Sequence, residues 1–203
     1  MLHVIGNSHA CFFTGTDVLQ GLPYWEKKPD CKILNIKVYP LGPCTAFQFD
    51  ENHGEVTEIL GIPRGEKILM VLGEIDCRWQ IPYHSPSLIG ALAGVEDTMR
   101  RYKVGLDRLH RDYRVGVWCV HPPARGTPKP SVGKCAFRHA IAHYWNDRMQ
   151  ELCDQCGWRF FTIFHQVLAG DGLIDMKYMI DDMHLAQTAM PYALEALGGW
   201  QNG

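Results

Sequence analysis

Five short apolar runs alternate along the chain with longer stretches in which apolar residues recur every three or four positions. The short runs are rich in Val, Ile and aromatic residues, which is typical of buried strands. They span Leu2–Gly6, Ile33–Tyr39, Lys67–Gly73, Arg114–Val120 and Trp158–Phe164. The periodic stretches predict helices over Pro86–Asp112, Gly133–Cys156 and Ala186–Leu197. This alternation predicts an α/β protein whose parallel sheet is covered on both faces, with its chemistry at the carboxyl ends of the strands.

Two stretches depart from this pattern. Gly42–Arg64 contains several turn formers and one weak helical pattern, at Val56–Leu60. Pro122–Ser131 is rich in proline and follows the fourth predicted strand. A long loop at that edge is either a lid over a binding site or a surface decoration, and the sequence leaves both open.

Composition and charge narrow the class of protein. A chain of 203 residues, 46% of them apolar, predicts a single domain over residues 1–203 with one ordinary core. The formal net charge is −2. Basic residues cluster modestly between Arg100 and Arg114, where Asp and Glu are interspersed at helical spacing, as on a solvated helix face. We therefore expect no nucleic-acid partner.

Membrane and export signals are not evident. No apolar run reaches the roughly 18 residues of a spanning helix. The first residues, MLHVIGNSHACFF, lack a basic segment and a small-residue cleavage site, which predicts a cytoplasmic protein. The eight cysteines are scattered through predicted strands and helices, so we expect free buried thiols rather than disulfides.

A serine, Ser8, follows the first predicted strand in the segment Gly6-Asn7-Ser8-His9-Ala10. At that position its hydroxyl reaches the ligand-binding edge of the sheet, and its backbone N–H can stabilise an oxyanion. Serine is also a favoured helix N-cap, so this motif by itself leaves a purely structural role open.

A second candidate motif, Asp181-Asp182-Met183-His184, precedes the last predicted helix. A serine hydroxyl needs a base to take its proton, and the base needs a partner that fixes its tautomer. Asp181 and His184 are three residues apart, so their side chains can meet on a turn, with Ser8 at the other ring nitrogen. Asp182 is the less favourable partner, and helix capping is the structural alternative for the motif.

Together the two motifs resemble the SGNH hydrolases, also called GDSL-like esterases and lipases. The family's GDS motif corresponds to Gly6–Ser8, and its DxxH motif to Asp181–His184. Its second block contributes a glycine that corresponds to Gly42, and its third block, GxND, falls on Gly73–Asp76. The resemblance spans nearly the whole chain. It implies a three-layer α/β/α sandwich with about five parallel strands in flavodoxin-like order, and an oxyanion hole formed by the N–H groups of Ser8 and Gly42.

One position departs from the family pattern. The family's oxyanion-hole asparagine corresponds to Ile75, whose side chain cannot donate a hydrogen bond. Losing one such donor typically costs about 10²–10³ in rate. Arg78 can supply positive charge instead and suits a carboxylate or phosphate on the substrate, or it forms a structural ion pair with Glu74 or Asp76. Arg78, Asp76 and His121 are the candidate substrate-binding residues.

The resemblance implies a serine esterase that hydrolyses a small acyl ester, such as an acetyl group on a carbohydrate. Ser8, His184 and Asp181 form the triad, and the reaction passes through an acyl-enzyme without a metal or organic cofactor. An acyltransferase that uses the same triad is an alternative within the enzymes. A non-catalytic binding protein that kept the fold is the alternative from another class, and Ile75 motivates it.

Two further constellations are read as structural. His139 and His143 lie four apart on a predicted helix, a spacing that can hold zinc, but no third ligand is evident nearby in the sequence. Cys153 and Cys156 form a CxxC at a helix end, where packing is the expected role.

Overall fold

The fold comes from a computed structural model that describes residues 1–19, 23–53, 55–126 and 132–202. The predicted proline-rich loop therefore lies partly outside the described residues, at positions 127–131. Among the described residues, none of the helices combines the length and apolar character that a bilayer span requires. The cytoplasmic location stays a prediction.

The predicted strands form one parallel sheet of five strands in the order β2-β1-β3-β4-β5, as in flavodoxin-like folds. The strands are β1 (Leu2–Gly6), β2 (Ile36–Pro40), β3 (Lys67–Val71), β4 (Arg114–Trp118) and β5 (Arg159–Phe161). This architecture confirms the fold class expected from the sequence.

Four strands, β2 to β5, are shorter than the apolar runs that predict them, and the reasons differ between β2 and β5. β2 begins at Ile36 because the preceding Asn35 has a positive φ of 62°, a left-handed conformation that a strand cannot contain. β5 is an edge strand that pairs only with β4, and its pairing ends opposite Trp118, where β4 ends.

In the described part of the chain, two long helices and four shorter ones accompany the sheet. The helices are α1 (Phe49–His53), α2 (Val56–Ile59), α3 (Ile81–His84), α4 (Leu88–His110), α5 (Cys135–Cys156) and α6 (Met190–Leu197). Ser87 caps α4 by accepting the N–H of Gly90, and α5 ends at the left-handed Gly157, as its sequence predicts. A 3₁₀ helix, Ser8–Thr14, follows β1, and a π-helical turn, Asp76–Gln80, follows β3.

Each face of the sheet has its own apolar core, because successive strand residues point to opposite faces. On one face Ile5 and Met70 pack with the apolar sides of α4 and α5, including the fully buried Trp145. On the other face Val4 and Leu69 pack with the 3₁₀ helix and with α6. Burying a large apolar side chain contributes about 1.5–3 kcal/mol, so these two cores hold the three layers together. The cysteines are thiols rather than disulfides, as predicted, but only five of the eight are buried, since Cys31, Cys135 and Cys156 are partly exposed.

Candidate active site

The carboxyl ends of β1, β3 and β4 carry the polar side chains of the candidate site. Ser8 follows β1, Glu74 follows β3, and His121 follows β4. In this strand order the chain reverses direction of winding between β1 and β3, which is where open parallel sheets bind ligands. The site therefore lies at the switch point of the sheet.

Ser8, His184 and Asp181 form a continuous chain of contacts at this edge. The Ser8 Oγ lies 2.9 Å from His184 Nε2, and His184 Nδ1 lies 2.9 Å from Asp181 Oδ2. Asp181 Oδ1 also accepts the backbone N–H groups of Met183, at 2.7 Å, and His184, at 2.8 Å. These bonds fold the Asp181–His184 segment into a turn, which is why two residues three apart can meet side chain to side chain.

Burial and hydrogen bonds together shift the pKa values of His184 and Asp181. Burial and the neighbouring His9 lower the pKa of His184, against the opposing effect of the Asp181 carboxylate. Burial alone would raise the pKa of Asp181, but the hydrogen bonds from His184 and from the Met183 N–H outweigh it and lower the pKa. At neutral pH the imidazole is thus neutral and able to accept a proton, beside an ionised carboxylate.

Asn7 holds the segment that carries Ser8. Its Oδ1 accepts the His9 N–H at 3.0 Å, and its Nδ2 donates to the Cys44 carbonyl at 3.3 Å. Asn7 is almost fully buried, so both bonds are shielded from water. The first bond caps the 3₁₀ helix, and the second ties it to the loop after β2.

The register of the sheet places Gly42 at the same edge as Ser8. Gly6 of β1 pairs with Pro40 of β2, and Ser8 and Gly42 each follow two residues later. Gly42 has a φ of +76°, and a Cβ there would lie 3.2 Å from Pro23 Cγ, so a side chain fits this turn poorly. Among the backbone hydrogen bonds of the described residues, the Gly42 N–H is not a donor.

Asp76 is fully buried, contrary to the sequence-based expectation of a substrate contact. Its carboxylate accepts the backbone N–H groups of Ala46, at 2.9 Å, and Phe47, at 3.1 Å. Burial raises the pKa of Asp76 to about 6 despite these bonds. Asp76 therefore anchors the loop that follows Gly42.

Arg78 forms an ion pair with Glu74, which is one of the two roles that the sequence leaves open for it. Its Nε lies 2.6 Å from Glu74 Oε1, and both side chains are about nine-tenths buried. Burial alone would raise the pKa of Glu74, but His9 and Arg78 outweigh it and lower the pKa strongly. Ile75, between them, is half-buried and offers no side-chain donor. The positive charge of Arg78 is thus balanced in place by Glu74.

His9 and Glu74 lie beside the candidate triad, although the sequence assigned His9 no role and Glu74 only that of a possible ion-pair partner of Arg78. The His9 ring stacks on His184 with 4.6 Å between centroids, and its Nε2 lies 2.9 Å from Glu74 Oε2. His121 is buried nearby, with 5.5 Å between its ring centroid and that of His9. The only signal in the sequence was adjacency, since His9 follows Ser8 and Glu74 lies inside the block that resembles GxND.

The His139/His143 pair and the Cys153/Cys156 motif, for which the sequence predicts structural roles, lie on α5. His139 and His143 pack against Phe164 on the side of α5, and the His143 ring pairs with the exposed Asp147. Cys153 is buried in the α5 core, as its packing role predicts.

Comparisons with known proteins agree with this architecture. No protein-family model matches the sequence, and no curated protein matches it. Solved structures do match. A member of the lipolytic protein G-D-S-L family from Veillonella parvula has a TM-score of 0.59 and 10% identity, covering 97% of this chain and 94% of that one. An acetylxylan esterase from Geobacillus stearothermophilus, solved as a catalytic mutant, has a TM-score of 0.60 and 13% identity, with 100% and 94% covered.

A phospholipase A1 from Streptomyces albidoflavus also matches, with a TM-score of 0.56, 12% identity and 98% of each chain covered. At these identities the likeness shows the fold. The chain has the α/β fold of the SGNH, or GDSL-type, hydrolases, and the resemblance seen in the sequence is confirmed at that level.

Proposed function

We propose that this protein is a serine esterase whose nucleophile is Ser8. The observation that carries the proposal is the unbroken contact chain from Ser8 Oγ through the His184 ring to Asp181, with 2.9 Å at each junction. A hydroxyl, a neutral imidazole and an ionised carboxylate in this order are the elements of a Ser–His–Asp triad. Their position at the switch point of the sheet adds support, because ligands of such folds bind there.

In the proposed reaction His184 takes the Ser8 proton at Nε2 as the oxygen attacks the ester carbonyl. Asp181 accepts the Nδ1 hydrogen, keeps the ring in the productive tautomer and stabilises the imidazolium. The oxyanion rests on the N–H groups of Ser8 and Gly42, which the register supports as neighbours. His184 then protonates the leaving alcohol, and water activated by the same ring releases the acid.

We propose that the ester substrate carries a small acyl group, such as acetyl on a carbohydrate, and that this acyl group is transferred to Ser8. Among the described residues, the contacts that lead out from Ser8 are to polar side chains, His184 and through it Asp181 and His9, which offer a long alkyl chain little apolar surface. A buried methylene contributes about 0.8 kcal/mol only where its surroundings are apolar. The acetylxylan esterase that shares the fold is consistent with this substrate class.

The proposal is tested by intact-protein mass after treatment with a fluorophosphonate, which labels activated serines whatever the natural substrate is. We expect one adduct on the wild type and on Ser85→Ala, a control at a serine outside the triad, and none on Ser8→Ala. A folded wild-type protein that takes no adduct would refute the esterase and leave a non-catalytic binding protein.

The acyl preference gives a second expected result. With p-nitrophenyl esters, we expect kcat/KM for the acetate to exceed that for the octanoate by at least about tenfold, because the polar side chains next to Ser8 give the extra methylenes little apolar contact. Steady-state kinetics on both esters measure the ratio. A ratio near or below one would contradict the small-acyl assignment while leaving Ser8 as the nucleophile.

A further inference from the structure

Three metal-ligating side chains converge beside the candidate triad, although they come from three different strand ends. Among the described residues, His9, Glu74 and His121 each offer one ligand atom, and these atoms all lie within 4.8 Å of one another. The same three residues line one small cavity of about 20 Å³, together with Asn7 and Leu185. That space suits a single water molecule or a single ion.

His121 has the hydrogen bonding of a metal ligand. Its Nδ1 lies 2.8 Å from the Pro122 carbonyl, an acceptor, so Nδ1 donates its hydrogen there and Nε2 is the ring nitrogen left to face a ligand. His121 is more than nine-tenths buried, and its Nε2 has no hydrogen-bond partner among the described residues. Metal-bound histidines characteristically donate their other ring N–H to a carbonyl or carboxylate in this way.

Glu74 is likewise held as a ligand would be. Arg78 Nε lies 2.6 Å from Oε1, which orients the carboxylate. Oε2 lies 2.9 Å from His9 Nε2, so the second oxygen of the carboxylate faces the first of the two histidines. Two ligands of one tetrahedral ion lie about 3.4 Å apart, so the pair is already close to the spacing that an ion requires.

We propose that His9, Glu74 and His121 bind a zinc ion, with a water molecule in the fourth position. Two neutral imidazoles and one carboxylate are a ligand set that zinc favours in sites that keep one position open. Small side-chain rotations bring the three ligand atoms to coordination distance. The bound cation adjoins Ser8 and the ring of His184, where Ile75 supplies no donor for an oxyanion. The site is separate from the nucleophile, so it does not depend on Ser8 being catalytic.

The charged side chains at this place also allow an explanation without a metal. In that explanation His9, Glu74 and Arg78 form an ion-pair network, and a water molecule in the small cavity forms a hydrogen bond with His121 Nε2. The two accounts differ in one measurable quantity, the zinc bound per chain.

Zinc binding is measured by isothermal titration of chelator-treated, full-length protein with ZnSO₄. We expect about one zinc per chain for the wild type, for Ser8→Ala and for His143→Ala, the control on α5. His121→Ala should bind at least about a hundredfold more weakly, since it loses a ligand itself. Glu74→Gln provides a second variant in case His121→Ala folds poorly, and circular dichroism verifies folding in each.

Cobalt gives an independent readout, because the free cysteines offer a rival ligand type. The cobalt-loaded wild type should absorb as a tetrahedral nitrogen and oxygen site, without a thiolate-to-metal charge-transfer band. Absence of zinc binding by the wild type, or full binding by both folded variants of His121 and Glu74, would overturn the proposal in favour of the ion-pair network. Since Ser8→Ala should bind zinc normally, failure of the zinc site and failure of the esterase are separate results.

Discussion

Asp181→Asn is expected to lower kcat/KM for p-nitrophenyl acetate by about 10³–10⁴-fold, whereas the neighbouring Asp182→Asn leaves it within a few-fold. The Asp181 carboxylate contacts His184 Nδ1 at 2.9 Å and accepts two backbone N–H groups of its own turn. An amide at this position can donate to the ring and so favours the wrong tautomer, which in Ser–His–Asp enzymes costs about 10⁴ in rate. Within the described residues Asp182 makes no hydrogen bond to the ring.

The pair of variants is a matched test because the two aspartates are adjacent and the substitutions are isosteric. His184→Ala serves as the reference for loss of the whole triad. We expect it to lower kcat/KM by about 10⁴–10⁶-fold, since the residues of a triad act as a unit. Steady-state rates and the rate of fluorophosphonate labelling should fall together in Asp181→Asn. Equal losses in the two aspartate variants would show that Asp181 does not orient the base.

Gly6→Ala is expected to lower the free energy of unfolding by about 3 kcal/mol or more. A Cβ on Gly6 would lie 2.2 Å from the backbone oxygen of Val71 in β3, and a backbone atom cannot rotate away as a side chain can. Strands β1 and β3 would have to separate at the point where Gly6 pairs with Val71. Because Ser8 follows two residues later, the folded fraction should also label more slowly with the fluorophosphonate.

Thermal unfolding followed by circular dichroism measures this effect. For a chain of this size 3 kcal/mol corresponds to a fall in Tm of about 6–12 °C. Gly170→Ala is the control, since a Cβ there meets no atom within 4 Å, and its unfolding free energy should change by no more than about 0.5 kcal/mol. Similar melting temperatures for the two alanine variants would mean that β1 and β3 can move apart at little cost.

Two buried side chains hold in place the loop after β2, which contains Gly42 of the candidate oxyanion hole. Asp76 binds the N–H groups of Ala46 and Phe47, and Asn7 binds the Cys44 carbonyl. Both anchors are buried, so the loop that begins at Gly42 is held from β1 and from the segment after β3. A donor fixed in this way needs no reorganisation when negative charge develops in the transition state.

The pattern of apolar residues by itself determined the layers of the fold. Buried parallel strands are nearly continuous apolar runs, as Leu2–Gly6 and Lys67–Val71 are apart from His3 and Lys67. In amphipathic helices the apolar residues recur every three to four positions. The sequence also names Ser8, Asp181 and His184 as a candidate triad, because each lies in a short motif, the end of a strand or a turn of four residues; their catalytic roles stay a proposal.

What the tertiary structure decided is how residues from separate strand ends meet. The sequence contains no signal that brings His9, Glu74 and His121 into one cavity, since they are far apart in the chain. It also suggested that Asp76 faces substrate, whereas the packing of the Gly42 loop buries it. Local propensity and periodicity act over a few residues. Convergence at the sheet edge depends on strand order and register, which arise only when the whole core is packed.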